Sequence, residues 1–441
     1  MAEFQINAFH NEFLARGART VHALVTVTAS GTGSVDAAVG VGAGADERSE
    51  LLIVDTSGSM NGKKLRSVKE ATAAAIDCIP DGVRFGIITG NHKAEVAYPP
   101  TSPLARSSPE SRNAAKQTVT RFEAGGGTAI GSWIWLASQV LRDATGIRHA
   151  ILLTDGKNES EDPAVFEECL RGAEGVFQCD CRGVGADWDV KELQQVATTL
   201  LGDLDIVAQP SGLAEDFTNM MRQSLNKQVA EVALRVWTPQ GAAVVALKQT
   251  EPPLDLSGGR VDAGPLAGDY ATGSWGDEER DFYLSVALPA GEVDDEMLAA
   301  RVTLMVAGEP AGQSLVPVIW TDDAAKSTQM NKKVAEAMGQ RDLADAIQEG
   351  IDAHRDGDVS TATDRFGKAV RMANELGNEA VIERISKLVE IEDPITGRVR
   401  PKAKVEDVDL LTLETRSTRT SRNSPPKGPP AAPSTHPGED R

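Results

Sequence analysis

The pattern of apolar and polar positions changes texture several times along the chain. Residues 20–30, TVHALVTVTAS, alternate apolar with polar and are rich in β-branched side chains, which predicts a strand on a half-buried sheet. From Leu51 the pattern turns into continuous apolar runs, LLIVD, RFGIITG, HAILLTDG and VFQCDCRGVG, separated by stretches of helical spacing. Leu65, Val68, Ala71, Ala75 and Ile76 mark such a helix over 63–79, and others are expected at 111–122, 129–144, 162–173, 189–200 and 213–228. Strands that are apolar throughout and alternate with helices predict a doubly wound α/β unit, a parallel sheet covered on both faces.

Past residue 228 the texture changes again. VAEVALRVWTP, AAVVALKQT, RDFYLSVALP and AARVTLMVAG are short strands split by Gly, Pro and Asp turns, the pattern of a β-sandwich. Because 20–30 has the same texture, the expected arrangement is a β-sandwich with the α/β unit inserted after its first strand or strands. From residue 326 the chain reads as short amphipathic helices with turn-and-cap signals at DGD 356–358 and GNE 377–379. The middle pair resembles one tetratricopeptide-like hairpin, but no 34-residue repeat recurs, so an array is not indicated. The expected organisation is N-terminal sandwich strands in 1–35, a Gly-rich linker at 36–47, the α/β unit at 48–227, the sandwich at 228–322, a helical region at 326–391 and a disordered tail at 401–441.

Composition narrows the function classes. A chain of 441 residues suggests two to four domains. With 65 acidic and 45 basic residues the formal charge is -20, which repels phosphate backbones and argues against a nucleic-acid partner. The N-terminus shows no apolar core of signal-peptide length, and no window approaches 18 uninterrupted apolar residues, so no membrane span is expected. The four cysteines do not form a disulfide framework; Cys179 and Cys181 share one face of a strand and read as buried structural thiols. Together these features point to the cytoplasm.

One constellation carries chemistry. VDTSGSM places Asp55, Ser57 and Ser59 on a short loop at the carboxyl end of the first α/β strand, the edge where open parallel sheets bind ligands. GGGT sets Thr128 after a glycine run, and LLTDG sets Asp155 at the end of another apolar strand. All five offer hard oxygen donors, suited to Mg2+ or Mn2+; with hydroxyls as three of the five, the set is a poorer match to Ca2+.

The D-x-S-x-S motif, a Thr after glycines and an Asp closing an apolar strand resemble the metal-ion-dependent adhesion site of von Willebrand factor A domains. The resemblance covers about 180 residues and implies a metal held by Asp55, Ser57, Ser59, Thr128 and Asp155, with the hydroxyls bound directly or through water and the two Asp completing the shell. Two carboxylates leave Mg2+ able to accept one more anionic ligand, such as a carboxylate from a protein partner. The expected function is therefore a non-enzymatic, metal-dependent protein-binding module. The alternatives are a scaffold with a structural metal whose helical region binds partners, and a metal-dependent phosphatase or hydrolase. Against the last, Ser57 stands where haloacid-dehalogenase-type phosphatases carry a second Asp, and no nucleophile elbow, zinc-protease helix or Walker loop is present. Lys157 reads as a solvated loop charge.

In the tail, Leu410, Leu411 and Leu413 precede Thr415, Ser417, Thr418 and Thr420, interleaved with arginines. Hydroxyls beside arginines in a disordered segment would suit a Ser/Thr kinase and a phosphothreonine reader, with Thr415, Thr418 and Thr420 as candidate sites.

Overall fold

The computed structural model describes residues 2–31, 48–402 and 404–417. The linker expected at 36–47, and Thr418 and Thr420 in the tail, lie outside the described residues. Among the described residues the chain forms four sheets, of five, seven, six and two strands.

The seven-stranded sheet is the α/β unit. Its strands run in the order Leu204–Val207, Gln178–Val184, Ile147–Thr154, Arg48–Asp55, Arg84–Gly90 and Ala94–Tyr98, with Ala105–Arg106 pairing off Arg84–Gly90. The first five are parallel and Ala94–Tyr98 is an antiparallel edge. The strand Arg48–Asp55 shows why such runs are apolar throughout. Leu51 and Ile53 enter a cluster with helices Ile130–Leu141, Pro163–Ala173 and Val190–Thr199, while Leu52 and Val54 enter a second cluster with helices Lys63–Asp77, Pro109–Thr120 and Leu213–Leu225. Each fully buried aliphatic side chain in these clusters contributes about 1.5–3 kcal/mol. The chain leaves Arg48–Asp55 toward one face and Ile147–Thr154 toward the other. The carboxyl ends of these two neighbours therefore form the crevice of a topological switch point.

The remaining large sheets draw on both ends of the chain. In the five-stranded sheet Glu3–His10 pairs with Thr20–Ser30, which pairs with Glu278–Ala287; Ala243–Gln249 and Leu254–Asp255 follow. The six-stranded sheet runs Arg260–Asp262, Ala267–Trp275, Val229–Trp237, Glu296–Val306, Glu309–Thr321 and Phe13–Ala15. Residues of both sheets share one apolar cluster that includes Val25, Val27, Leu234, Phe282, Val302 and Trp320. Residues before 31 thus complete sheets whose other strands lie beyond 228.

The C-terminal part packs helices Lys332–Arg355, Val359–Glu375 and Glu379–Ser386 around Ile347, Phe366 and Val370. Two features differ from the sequence expectation. Val389–Asp393 and Arg398–Pro401 form a hairpin where only helix and tail were expected. Gly367 and Gly397 allow the helix and the hairpin turn to meet, since a Cβ on either would strike the other's carbonyl oxygen.

Residues 407–417, expected within a disordered tail, form the helix Asp407–Ser417. The physical reason is its apolar cluster, which bridges two units: Leu410 and Leu413 join the helical cluster, and Leu411 joins the α/β core. Glu414, 4 % exposed, accepts from Nη1 and Nη2 of Arg355, and Arg416 Nε donates to Asp205 Oδ1 at 2.8 Å. Thr415 and Ser417 are buried, so neither is the accessible hydroxyl expected of a kinase site.

Candidate metal centre

The five sequence-predicted donors come from three segments that the fold brings to the switch point. Asp55 ends the strand Arg48–Asp55, and the loop behind it is a single 3-10 turn, Gly58–Met60, anchored by buried Met60. This loop is tied to the glycine run of the second segment: Gly58 N donates to Gly126 O and Gly125 N to Thr56 O, both at 2.9 Å. Gly126 has φ +81 and sits under the His92 ring, which leaves no room for a Cβ. The helix Ile130–Leu141 is fixed by Trp133, which packs on Gly90 and donates Nε1 to Asn91 O at 2.8 Å. Its N-terminus faces the third segment, where Asn158 accepts from Ile130 N at 2.7 Å and Glu161 from Gly131 N at 2.5 Å, anions and amide oxygens placed at the positive end of the helix.

Within this frame the oxygens converge. Ser57 Oγ is 2.9 Å from Ser59 Oγ, and Ser59 Oγ donates to Asp155 Oδ1 at 2.6 Å. Asp55 Oδ1 accepts from Ser57 N at 2.6 Å, and its Oδ2 accepts from Thr154 Oγ1 at 2.5 Å. Thr128 joins through Gly156: a Cβ there would lie 2.8 Å from Thr128 Oγ1 and 3.5 Å from Ser59 Oγ. Asp55, Ser57, Asp155 and Thr128 are buried and Ser59 is exposed, so the cluster opens to solvent on the Ser59 side. Thr128, although it closes a glycine loop, is only 6 % exposed.

The donor set fits a hard divalent cation. Burial pushes the Asp55 carboxyl up to about 6; hydrogen bonds from Ser57 and Thr154 oppose the rise and the charge of Asp155 adds to it. Two carboxylates gathered out of water need a cation nearby. Among the described residues no group of three or more His, Cys, Asp or Glu gathers in metal-binding geometry, so hydroxyls dominate this set. That suits Mg2+ better than a softer ion.

Sequence reasoning did not identify three neighbours. Thr154 holds Asp55 Oδ2, and it was legible only as the residue before Asp155. Lys64, on the helix that follows the motif loop, contacts Asp155 Oδ2 and lies 3.2 Å from Asp187 Oδ2. Burial works against its charge, but Asp155 and then Asp187 hold its ammonium above the ordinary lysine range. The two adjacent lysines in SGSMNGKK were the available signal for Lys64; nothing in the sequence tied Asp187 to the motif. Lys157, by contrast, is exposed as expected.

Comparisons with known proteins bear on the family. The von Willebrand factor type A domain model matches residues 50–206, and the von Willebrand factor type A C-terminal domain model matches 371–417, through the final helix. A solved structure, von Willebrand factor type A from Catenulispora acidiphila, is 44% identical, covers 95% of this chain and 97% of its own, and superposes with a TM-score of 0.88. The ArnB paralog VWA2 from Sulfolobus acidocaldarius, at 16% identity and a TM-score of 0.60 over 95% of this chain and 98% of its own, shares the fold. Among curated relatives, a protein of Synechocystis sp. is 28% identical over 183 residues, 40% of this chain and 41% of its own length. Inter-alpha-trypsin inhibitor heavy chain H4 of Bos taurus is 26% identical over 194 residues, 42% of this chain and 21% of its own. The match thus spans about two fifths of the first relative and a fifth of the second. Motif, strand order, both family models and near full-length likeness to a solved relative lead to one conclusion: the chain belongs to the von Willebrand factor type A family.

Proposed function

We propose that this chain is a metal-ion-dependent protein-interaction module. In this reading Asp55, Ser57, Ser59, Thr128 and Asp155 hold Mg2+, with Mn2+ the nearest substitute, and the ion takes a carboxylate from a protein partner as its remaining ligand. Domains of the family are in general metal-dependent interaction modules, which supports the reading at its coarse level. The observation that carries it here is the oxygen chain from Ser57 through Ser59 to Asp155, open to solvent at Ser59. Two carboxylates balance the charge of a divalent ion without excess, and an anionic ligand from outside remains favourable. The same balance supports a binding role over hydrolysis, since two-metal hydrolytic sites use more carboxylate ligands.

We read the compartment as cytoplasmic. The free thiols of Cys78, Cys169, Cys179 and Cys181 support a reducing environment, and among the described residues no helix is long and apolar enough to cross a membrane.

Affinity capture on the intact chain, in Mg2+ and in chelator, with Asp55→Ala alongside, tests the proposal. A partner retained only by the intact chain in Mg2+ is the expected result. Equal retention under all three conditions rejects the metal-dependent mode.

A further inference from the structure

Lys64 occupies the second position of the helix Lys63–Asp77, one turn beyond the motif loop. A helix N-terminus carries the positive end of the helix dipole and does not favour an ammonium. Two carboxylates hold it there. Asp155 Oδ2 accepts from Lys64 Nζ, and Asp187 Oδ2 lies 3.2 Å away. The three side chains differ in solvation: Asp155 is 0% exposed, Lys64 27% and Asp187 74%. Asp155 Oδ1 is already engaged by Ser59 Oγ at 2.6 Å, so the ammonium holds the other oxygen of a fully buried carboxylate.

We propose that Lys64 is a positioning residue that sets the metal affinity of the centre by competing with the cation for Asp155, and that Asp187 is the carboxylate that draws Lys64 away. The inference rests on the reading of the five donors as a metal centre. A divalent ion at Asp155 meets a positive charge already in contact with the same carboxylate. Part of the attraction between Lys64 and Asp155 is lost when the ion binds, and the two cations repel. Asp187, largely in water, accepts the ammonium at little desolvation cost. Lys64 and Asp187 therefore act on metal affinity with opposite signs.

Calorimetric titration of the full chain with Mg2+ alone tests this. Lys64→Met should bind Mg2+ about tenfold tighter than wild type, and Asp187→Asn about threefold weaker. Combining the two substitutions should give the affinity of Lys64→Met alone, because Asp187 acts through Lys64. Lys64→Arg, which keeps the charge, should stay near wild type. Melting adds a second readout: in chelator Lys64→Met should melt below wild type, since Asp155 loses its counter-charge, yet show the larger rise on adding Mg2+. Equal or weaker Mg2+ binding by Lys64→Met overturns the proposal, as does an Asp187→Asn effect of full size in the Lys64→Met background. Should Lys64→Met fail to fold, Asp187→Asn decides alone, and unchanged or tighter binding overturns the proposal. The Asp55→Ala, Ser57→Ala double variant separates the two layers. If it binds Mg2+ like wild type, the metal-centre reading falls and the Lys64 role with it. If it loses Mg2+, only the Lys64 arms are in question.

Discussion

The Nδ1 of His149 stands 2.8 Å from Oε2 of Glu50, on adjacent parallel strands where the two residues are in register. Its Nε2 lies 3.1 Å from Asp180 Oδ2, and Arg48 Nη1 donates to Glu50 Oε1 at 3.1 Å. These groups lie on the first half of their strands, away from the metal centre, near the junction with the six-stranded sheet. Burial works against the imidazolium, but Glu50 and then Asp180 push its pKa up to about 9. Burial would also raise both carboxyls, yet His149 holds Glu50 and Asp180 below their ordinary values.

The pH dependence of stability follows from these directions. A raised histidine contributes stability that is complete below its ordinary value of 6.5 and lost as pH rises through about 9. The depressed carboxylates contribute stability present above their ordinary values of 4.5 and 3.8 and lost as pH falls below them. Denaturation at pH 6 and at pH 9.5 should show wild type losing stability at the higher pH. His149→Gln should be weaker by about 3 kcal/mol at pH 6 and nearly level between the two. A wild type equally stable at both values contradicts the linkage.

Gly156→Ala probes the convergence of the donors. The backbone there tolerates alanine, but the added Cβ would lie 2.8 Å from Thr128 Oγ1, forcing that hydroxyl to shift, while Ser59 Oγ at 3.5 Å stays in ordinary contact. Mg2+ affinity should fall at least about tenfold while the fold is retained. Titration calorimetry beside circular dichroism checks both halves, and unchanged affinity would mean that Thr128 is not a ligand.

The C-terminal helix offers a comparison of two arginines. Arg355→Ala strands Glu414, whose side chain is only 3% exposed, and should cost about 2 kcal/mol. Arg416→Ala removes a more solvated contact to Asp205 and should cost less than about 1 kcal/mol. Equal losses in denaturant titrations would show that burial of Glu414 is not what makes its pair matter.

Removing the first 47 residues should separate the units. A chain that begins at Arg48 lacks the partner of Glu278–Ala287 and the apolar side chains of Val21, Val25 and Val27. The α/β unit should keep its own melting transition while the two remaining sheets lose theirs. A single transition at the full-chain temperature would contradict this.

Much of the α/β unit was legible because its strands are buried on both faces. Runs such as LLIVD and AILLT leave little room for another reading, and the loops after them expose the donors of the metal centre. Two strands were less legible. Ala94–Tyr98 is half-exposed on one side of the sheet, and Ala267–Trp275, AGDYATGSW, carries the glycines and serine of a turn while pairing in the middle of a ladder. The helix Asp407–Ser417 was read as tail because its anchors, Asp205 and Arg355, are distant in sequence. The three leucines of this segment pack against the rest of the same chain.

The pairing of Thr20–Ser30 with Glu278–Ala287 also governs how this protein is made. Thr26 and its partner Asp281 are separated by 255 residues. At translation rates of about 5–20 residues per second, the first strands leave the ribosome tens of seconds before their central ladder partner exists. During that interval the α/β unit can form from contiguous chain, while TVHALVTVTAS, β-branched and uncharged, waits as an unpaired edge. Until the later strands emerge, the nascent chain carries an edge open to pairing with other chains.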